Sequence, residues 1–206
     1  MKLYTYDPAP NPQRLTLFLK YKGIDLETRQ IDMMKAEQLG EEYRAINPAC
    51  TVPALVLDDG TVMTEVVGIC HYLESLHPEK PLMGTTALEK AQVISWDHKL
   101  FMMAFTAIAD MLRNTSPGMA DRALPGPLNL PQIPALAERG KLRLEHAWET
   151  LDEAAPAEGW LAGDHFSLAD IDMHVCAGFS GWVKSKPPES CTRLHAYLGR
   201  VAAELG

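Results

Sequence analysis

Pro53 stands directly before a short apolar run, Ala54-Leu55-Val56-Leu57, and Asp59-Gly60 then reads as a tight turn. Val62-Met63-Thr64 can return as the partner strand of a hairpin. A proline has no N–H for a sheet ladder, so Pro53 belongs at the first position of its strand. The Val52–Pro53 bond enters a strand from a long loop and is a candidate cis peptide. A cis bond there would turn the N–H and C=O of Val52 outward, where an extended peptide can pair with them. Glu65-Val66 come next and precede Val67, Cys70, Leu73 and Leu76, apolar positions at helical spacing. The first N–H groups of such a helix, with its dipole, make a site for a carboxylate. Glu65 adds an acceptor for an ammonium group. A ligand with an extended backbone, a free amino group and a free carboxylate fits this constellation.

The rest of the chain frames that hairpin. Lys2 to Tyr6 alternates as a half-buried strand should. Asp7 to Pro12 carries prolines at 8, 10 and 12 and is expected to be a loop, with Asn11 as N-cap and Pro12 at the first helical position. A heavily apolar helix follows, closed by Gly23. Ile24 to Ile31 reads as a second strand parallel to the first, and Lys35 to Arg44 as a polar, irregular or helical stretch. The order β-α-β-α-β-β-α results, and the Pro-rich, non-periodic run His77-Pro78-Glu79-Lys80-Pro81-Leu82 marks a linker, 81–86, between a domain 1–80 and a helical domain 87–206. In the second domain, Leu88 to Leu112 shows the period of one long amphipathic helix. Residues 117–134 hold five prolines and must be a loop or a badly interrupted helix. Helices are expected from Ala135 to Ala154, from Ile171 to Gly178 and from Leu194 to Leu205, with Trp160 to Gly163 extended. Ser167 and Asp170 form a capping box whose role is to start a core helix.

Composition limits the partners. A net charge of −8 argues against nucleic acid or an anionic membrane, since both attract basic surfaces. No apolar run reaches the ~18 residues of a membrane span and no signal segment is apparent, so cytoplasmic residence is the default expectation. Cys50, Cys70, Cys176 and Cys191 form no C-x-x-C pair, and the seven histidines stand apart, so no metal is expected.

Val52-Pro53 and Glu65, downstream of the strand Lys2-Leu3-Tyr4-Thr5-Tyr6, resemble the thioredoxin-like domain of the cytosolic glutathione transferases. The resemblance covers nearly the whole chain. It implies an α/β thioredoxin-like N-terminal domain followed by an all-α C-terminal domain, glutathione as co-substrate, and a homodimer. The family lowers the pKa of the bound thiol, ~8.5–9 when free, by ~2 units, which is about 3 kcal/mol. It does so with a Tyr, Ser or Cys in the first loop, and after Tyr6 this loop has none of them. The run Ala9-Pro10-Asn11-Pro12-Gln13-Arg14 resembles bacterial relatives in which an asparagine contacts the sulfur, so Asn11 is the expected catalytic donor, set among the free backbone donors where the helix begins. Ala9 stands where those relatives often have threonine.

The same resemblance assigns backbone pairing with the cysteinyl unit to Val52 beside Pro53, and the γ-glutamyl ammonium to Glu65. The backbone N–H of Val66 would bind the carboxylate, although Val66 replaces the usual serine and forgoes one hydroxyl bond of ~0.5–1.5 kcal/mol. Gln38 would reach the glycyl end, unless it lies on a plain polar helix face. Cys50 is a bystander thiol with a possible redox use. A hydrophobic second substrate would lie against the long helix, with Trp96, Met102, Met103, Phe105, Thr106 and Trp182 as wall residues. The expected reaction is transfer of the glutathione thiolate to a hydrophobic electrophile. Glutathione-dependent disulfide reduction, or a non-catalytic scaffold that kept only the fold, are the alternatives.

Overall fold

Strand β1 (Lys2–Thr5) sends Leu3 and Thr5 to one face, where both are buried, and leaves Lys2 and Tyr4 on the other. In a computed structural model that describes residues 1–206, β1 is the second strand of a four-stranded mixed sheet. It lies between β2 (Glu27–Gln30), which is parallel to it, and β3 (Ala54–Val56), which is antiparallel; β4 (Val62–Thr64) pairs with β3 at the edge. Helices α1 (Pro10–Lys22) and α3 (Val66–Leu76) pack against each other, with Leu15, Phe18, Ile69 and Leu73 fully buried. On the opposite face, α2 (Glu41–Ile46) brings the Tyr43 ring edge-on to Tyr4 at 6.1 Å. This is the expected thioredoxin-like order.

Helix α1 starts earlier than the prolines suggested. Ala9 is the N-cap, with no side-chain bond, and Asn11, the expected cap, lies inside the first turn between Pro10 and Pro12. The first-turn N–H groups have no intrahelical partner in any case, so prolines at the first and third positions forfeit nothing the helix would use. At the other end Gly23 takes a left-handed φ of 71° and its N–H returns to the Leu19 and Lys20 carbonyls. Lys22 Nζ is held 2.7 Å from Glu74 Oε2 of α3 and 2.7 Å from the Lys80 carbonyl, which ties the helix ends together.

The chain contacts divide the molecule into two units. One comprises Met1–Lys80 together with Leu124–Leu128; the other comprises Pro81–Ala123 and Asn129–Gly206. Gly126, with φ 94°, lies so near the Ala49 carbonyl oxygen that an added Cβ would meet it at 3.0 Å.

The second unit is helical. The expected single long helix is α4 (Ala87–Leu100) continued into α5 (Thr106–Thr115) through one π-turn, Phe101–Phe105, closed by the Thr106 N–H on the Phe101 carbonyl. A π-turn widens the helix by one residue and loosens its carbonyls. Here the freed Met102 carbonyl accepts from the Thr106 hydroxyl at 2.9 Å and from Arg143 Nη2. Arg143 belongs to α6 (Pro134–Ala154), which lies close along α5: Gly140 is so near that a Cβ would sit 2.7 Å from the Ala107 carbonyl. Helix α7 (Leu168–Ser180) runs through the core, and α8 (Thr192–Leu205) closes it.

The capping box before α7 forms around Asp170. Its carboxylate accepts from the N–H and hydroxyl of Ser167 and the N–H of Leu161, each at 2.9 Å, and from the Tyr197 hydroxyl of α8. Burial pushes the Asp170 carboxyl above its ordinary range, and these four donors oppose it. Trp160 to Gly163 forms only an isolated antiparallel bridge. No helix is long and apolar enough to cross a membrane.

A second capping box, unread in the sequence, starts α4. The Glu89 carboxylate accepts from the N–H and hydroxyl of Thr85 and the N–H of Thr86, and these bonds hold its carboxyl down at about 2. The folded pKa lies below the ordinary 4.5, so this contribution is present above pH 4.5 and lost as pH falls through about 2. Amide exchange at Thr85 and Thr86 is expected to accelerate across that window relative to neighbouring amides. In Glu89→Gln the same amides should exchange fast already at neutral pH, with no acid transition of their own.

Candidate functional site

Strand directions alone collect the expected residues of the first unit. The C-terminal ends of β1, β2 and β4 and the N-terminal end of β3 lie at the same end of the sheet, as the ladder pairs Thr5↔Gln30, Tyr4↔Ala54 and Ala54↔Thr64 require. Asn11 follows β1, Gln38 follows β2, Val52 precedes β3 and Glu65 follows β4. One step beyond the last pair of the β3–β4 ladder, Pro53 faces Glu65.

The Val52–Pro53 bond is cis. Val52 is half-buried, and neither its N–H nor its C=O has a partner within the chain. The residue before it is firmly held. The Thr51 carbonyl accepts from the Tyr43 hydroxyl and from Asn47 Nδ2, and Asn47 Nδ2 also reaches Thr51 Oγ1 at 3.1 Å. Burial pushes the Tyr43 phenol up to about 12, so it stays a donor at any physiological pH. This Tyr43-Asn47-Thr51 brace escaped the sequence reading; its one signal was Asn47-Pro48, a turn-forming pair just ahead of the strand. Cys50 lies inside the same loop, 2% exposed, at φ 55°, with Sγ 3.5 Å from the Pro48 carbonyl. A thiol so enclosed is a poor target for oxidation.

Glu65 is the strained residue of the site. It is the N-cap of α3 with φ 65° and ψ 125°, a conformation uncommon outside glycine, and its side chain makes no capping bond. It is exposed, and no group of the chain pairs with its carboxylate. Val66 turns its side chain into the core at 3% exposure, which leaves the unpartnered N–H groups of Val66 and Val67 at the open end of α3.

Gln38 does not lie on a solvated polar face. It sits in a short 3-10 turn (Glu37–Leu39), 3% exposed, and its Oε1 is buried without a hydrogen-bond partner. Thr5 Oγ1, at the end of β1, is buried and unpartnered as well.

At the start of α1 the expected cluster of backbone donors shrinks to one residue. Pro10 and Pro12 carry no N–H, and the Gln13 N–H returns to the Ala9 carbonyl at 3.0 Å, so the main-chain donor left open is that of Asn11 itself. Asn11 is half-buried; its Oδ1 accepts from Arg14 Nη1 at 3.2 Å, and its Nδ2 is unpartnered.

The residues expected to wall a second substrate belong to the helical unit, and they divide by direction. Met102 is half exposed, Phe105 is buried, and Thr106 spends its hydroxyl on the Met102 carbonyl while accepting from Arg143 Nη2 at 2.8 Å. Neighbouring residues of a helix cannot share one face. Phe105 stacks on Phe179 at 6.4 Å and Phe179 meets Trp182 edge-on at 5.5 Å, an aromatic row that ends in half-exposed Trp182. Met103 is half-buried in the π-turn, and Trp96 of α4 carries the Lys99 ammonium over its ring at 4.8 Å. No group of three or more His, Cys, Asp or Glu side chains converges on a point.

The chain is similar to known proteins over nearly its whole length. Residues 9–76 match the family described as glutathione S-transferase, N-terminal domain. Glutathione S-transferase 2 of Saccharomyces cerevisiae is 28% identical over 98% of this chain and 85% of its own length. Glutathione S-transferase GstA of Escherichia coli is 27% identical over 98% of this chain and 92% of its own. Among solved structures, a glutathione S-transferase domain-containing protein of Marinobacter aquaeolei superposes with a TM-score of 0.89 at 29% identity, over 100% of both chains. Gtt2 of Saccharomyces cerevisiae gives 0.88 at 27%, again over 100% of both.

Proposed function

We propose that the chain is a cytosolic glutathione S-transferase, as its similarity over residues 9–76 to that N-terminal domain family and over nearly its whole length to named glutathione S-transferases supports, and that it binds glutathione as a thiolate and transfers it to a hydrophobic electrophile. The observation that carries this reading is Glu65, a strained, exposed and unpaired carboxylate at a helix N-terminus, at the same end of the β3–β4 hairpin as the unpartnered Val52 backbone. Strain of this kind persists where a ligand needs it. The γ-glutamyl ammonium pairs with Glu65 and its carboxylate with the N–H groups of Val66 and Val67. The cysteinyl backbone pairs with Val52 beside Pro53, and Gln38 meets the glycyl end with its buried amide.

The sulfur then lies at the start of α1. The thiol proton leaves to solvent, and the two N–H donors of Asn11, main-chain and Nδ2, stabilise the thiolate with the help of the helix dipole. The sulfur lone pair attacks the electrophilic carbon, and the leaving group departs with its bonding pair. Met102, Met103, Phe105, Thr106 and Trp182 supply the apolar side of the second-substrate site, and the active protein is a homodimer.

Calorimetric titration tests the binding, with reduced glutathione and glutathione disulfide in separate runs. Saturable binding of the reduced form, followed by turnover of a chloronitrobenzene, is the expected result. Markedly tighter disulfide binding would transfer the reading to disulfide reduction, and no heat with an unchanged Tm would leave a scaffold. Asn11→Ala is expected to raise the pKa of the bound thiol, followed by thiolate absorbance near 240 nm, by about one unit, since it removes one hydrogen bond of ~1–1.5 kcal/mol to a charged sulfur. Light scattering at working concentration checks the dimer.

A further inference from the structure

We infer that Arg14 is a positioning residue for the sulfur site: its guanidinium fixes which end of the Asn11 amide faces the ligand. The inference rests on the sulfur-facing reading of Asn11 above. Asparagine carries an acceptor at one end of its amide and two donors at the other, and a half-turn about its last torsion exchanges them. Presented to a thiolate, the Nδ2 end stabilises and the Oδ1 end repels. A free surface asparagine would sample both.

In this chain the choice is made by geometry. Arg14 stands three residues after Asn11 on α1, a spacing that puts both side chains on one face of the helix. Its side chain is enclosed, at 4% exposure, and its Nη1 donates to Asn11 Oδ1 at 3.2 Å. A guanidinium has only donors and never loses its proton in a protein, so it accepts no bond from Nδ2. With the amide turned the other way, two donors would face each other inside the protein. The half-buried Asn11 therefore keeps Oδ1 toward Arg14 and Nδ2 toward the open side, alongside its own main-chain N–H. The flanking prolines sharpen the dependence: Pro10 and Pro12 remove the first-turn donors that could otherwise substitute for a misdirected amide.

Three properties separate this role from plain structural support. In Arg14→Met, which keeps the stem and removes every donor, the pKa of bound glutathione should rise by about 0.5–1 unit. Binding of S-methylglutathione, whose sulfur cannot ionise, should stay within about twofold, because Glu65 and Val52 are untouched. In an Asn11→Ala background the same Arg14→Met change should leave the thiol pKa where Asn11→Ala put it, because there is no amide left to orient. Arg14→Lys, a donor with no acceptor, should recover part of the shift. An unmoved thiol pKa in Arg14→Met overturns the inference, and so does an equal shift in both backgrounds. If changes at Arg14 prevent folding, Asn11→Asp answers in the intact chain: one oxygen pinned by Arg14 leaves the other against the sulfur, and the thiol pKa should rise further than in Asn11→Ala. Equal effects of those two changes overturn it as well. Failure of the wild-type protein to bind glutathione at all is a different result, and it overturns the functional reading on which this one stands.

Discussion

Glu65→Ala is expected to weaken the binding of reduced glutathione about 10- to 100-fold, the cost of one charge-assisted contact of ~1.5–3 kcal/mol. Calorimetric titration at pH 7 measures it. A second substitution at the same position separates ligand recognition from folding. Glu65 holds φ 65° with nothing in the chain to stabilise its carboxylate, so the conformation is a cost to the unliganded protein. Glu65→Gly adopts that backbone freely and should stabilise the fold by ~1 kcal/mol, an increase in Tm of about 2–4 °C for a chain of this size. It should bind glutathione as poorly as Glu65→Ala. Higher stability with lost affinity is the signature of a residue kept for its ligand. Unchanged affinity in both variants would remove Glu65 from the site and the main support for the proposed function with it.

The largest expected loss of stability is at the start of α7. Asp170→Ala leaves the N–H of Leu161, the N–H and hydroxyl of Ser167 and the hydroxyl of Tyr197 without their shared acceptor, all in the core. A buried group deprived of its partner costs ~1–3 kcal/mol, and even with relaxation the sum should exceed ~4 kcal/mol, the range reached only by such network losses. A Tm lower by 8 °C or more follows, at about 2–4 °C per kcal/mol. Asp170→Asn keeps one acceptor oxygen and should lose roughly half as much. Denaturant unfolding followed by tryptophan fluorescence reports both. A loss under about 1 kcal/mol for Asp170→Ala would mean that the core helix starts without its capping box.

The sequence disclosed the N-terminal architecture well because strands and helices there announce themselves with different periods. The alternation of Lys2 to Thr5, the proline before Ala54 and the apolar spacing after Glu65 each have one structural solution. The Ser167–Asp170 box was equally legible, since its chemistry is local. What the sequence concealed was set by tertiary placement. Nothing in Gln38 itself distinguishes a solvated glutamine from one buried with an unpartnered oxygen. The prolines at 10 and 12 suggested a loop, whereas a helix beginning at Pro10 accommodates both and leaves Asn11 as the lone backbone donor there. The π-turn at Phe101–Phe105 was invisible for a similar reason. It keeps a helical period on either side and is stabilised by Arg143, far along the chain on α6.

The return of Leu124–Leu128 to the first unit has a consequence for synthesis in the cell. A ribosome that has released Lys80 has delivered every strand of the sheet, yet not the short segment whose Gly126 lies against Ala49. At a translation rate of roughly 5–20 residues per second, that segment emerges about 2–10 s later. During that interval the nascent sheet waits with the Ala49 carbonyl uncovered by its Gly126 neighbour. A fragment ended at Lys80 would make that interval permanent, so genetic dissection of this protein should not assume that its first eighty residues are a self-sufficient part.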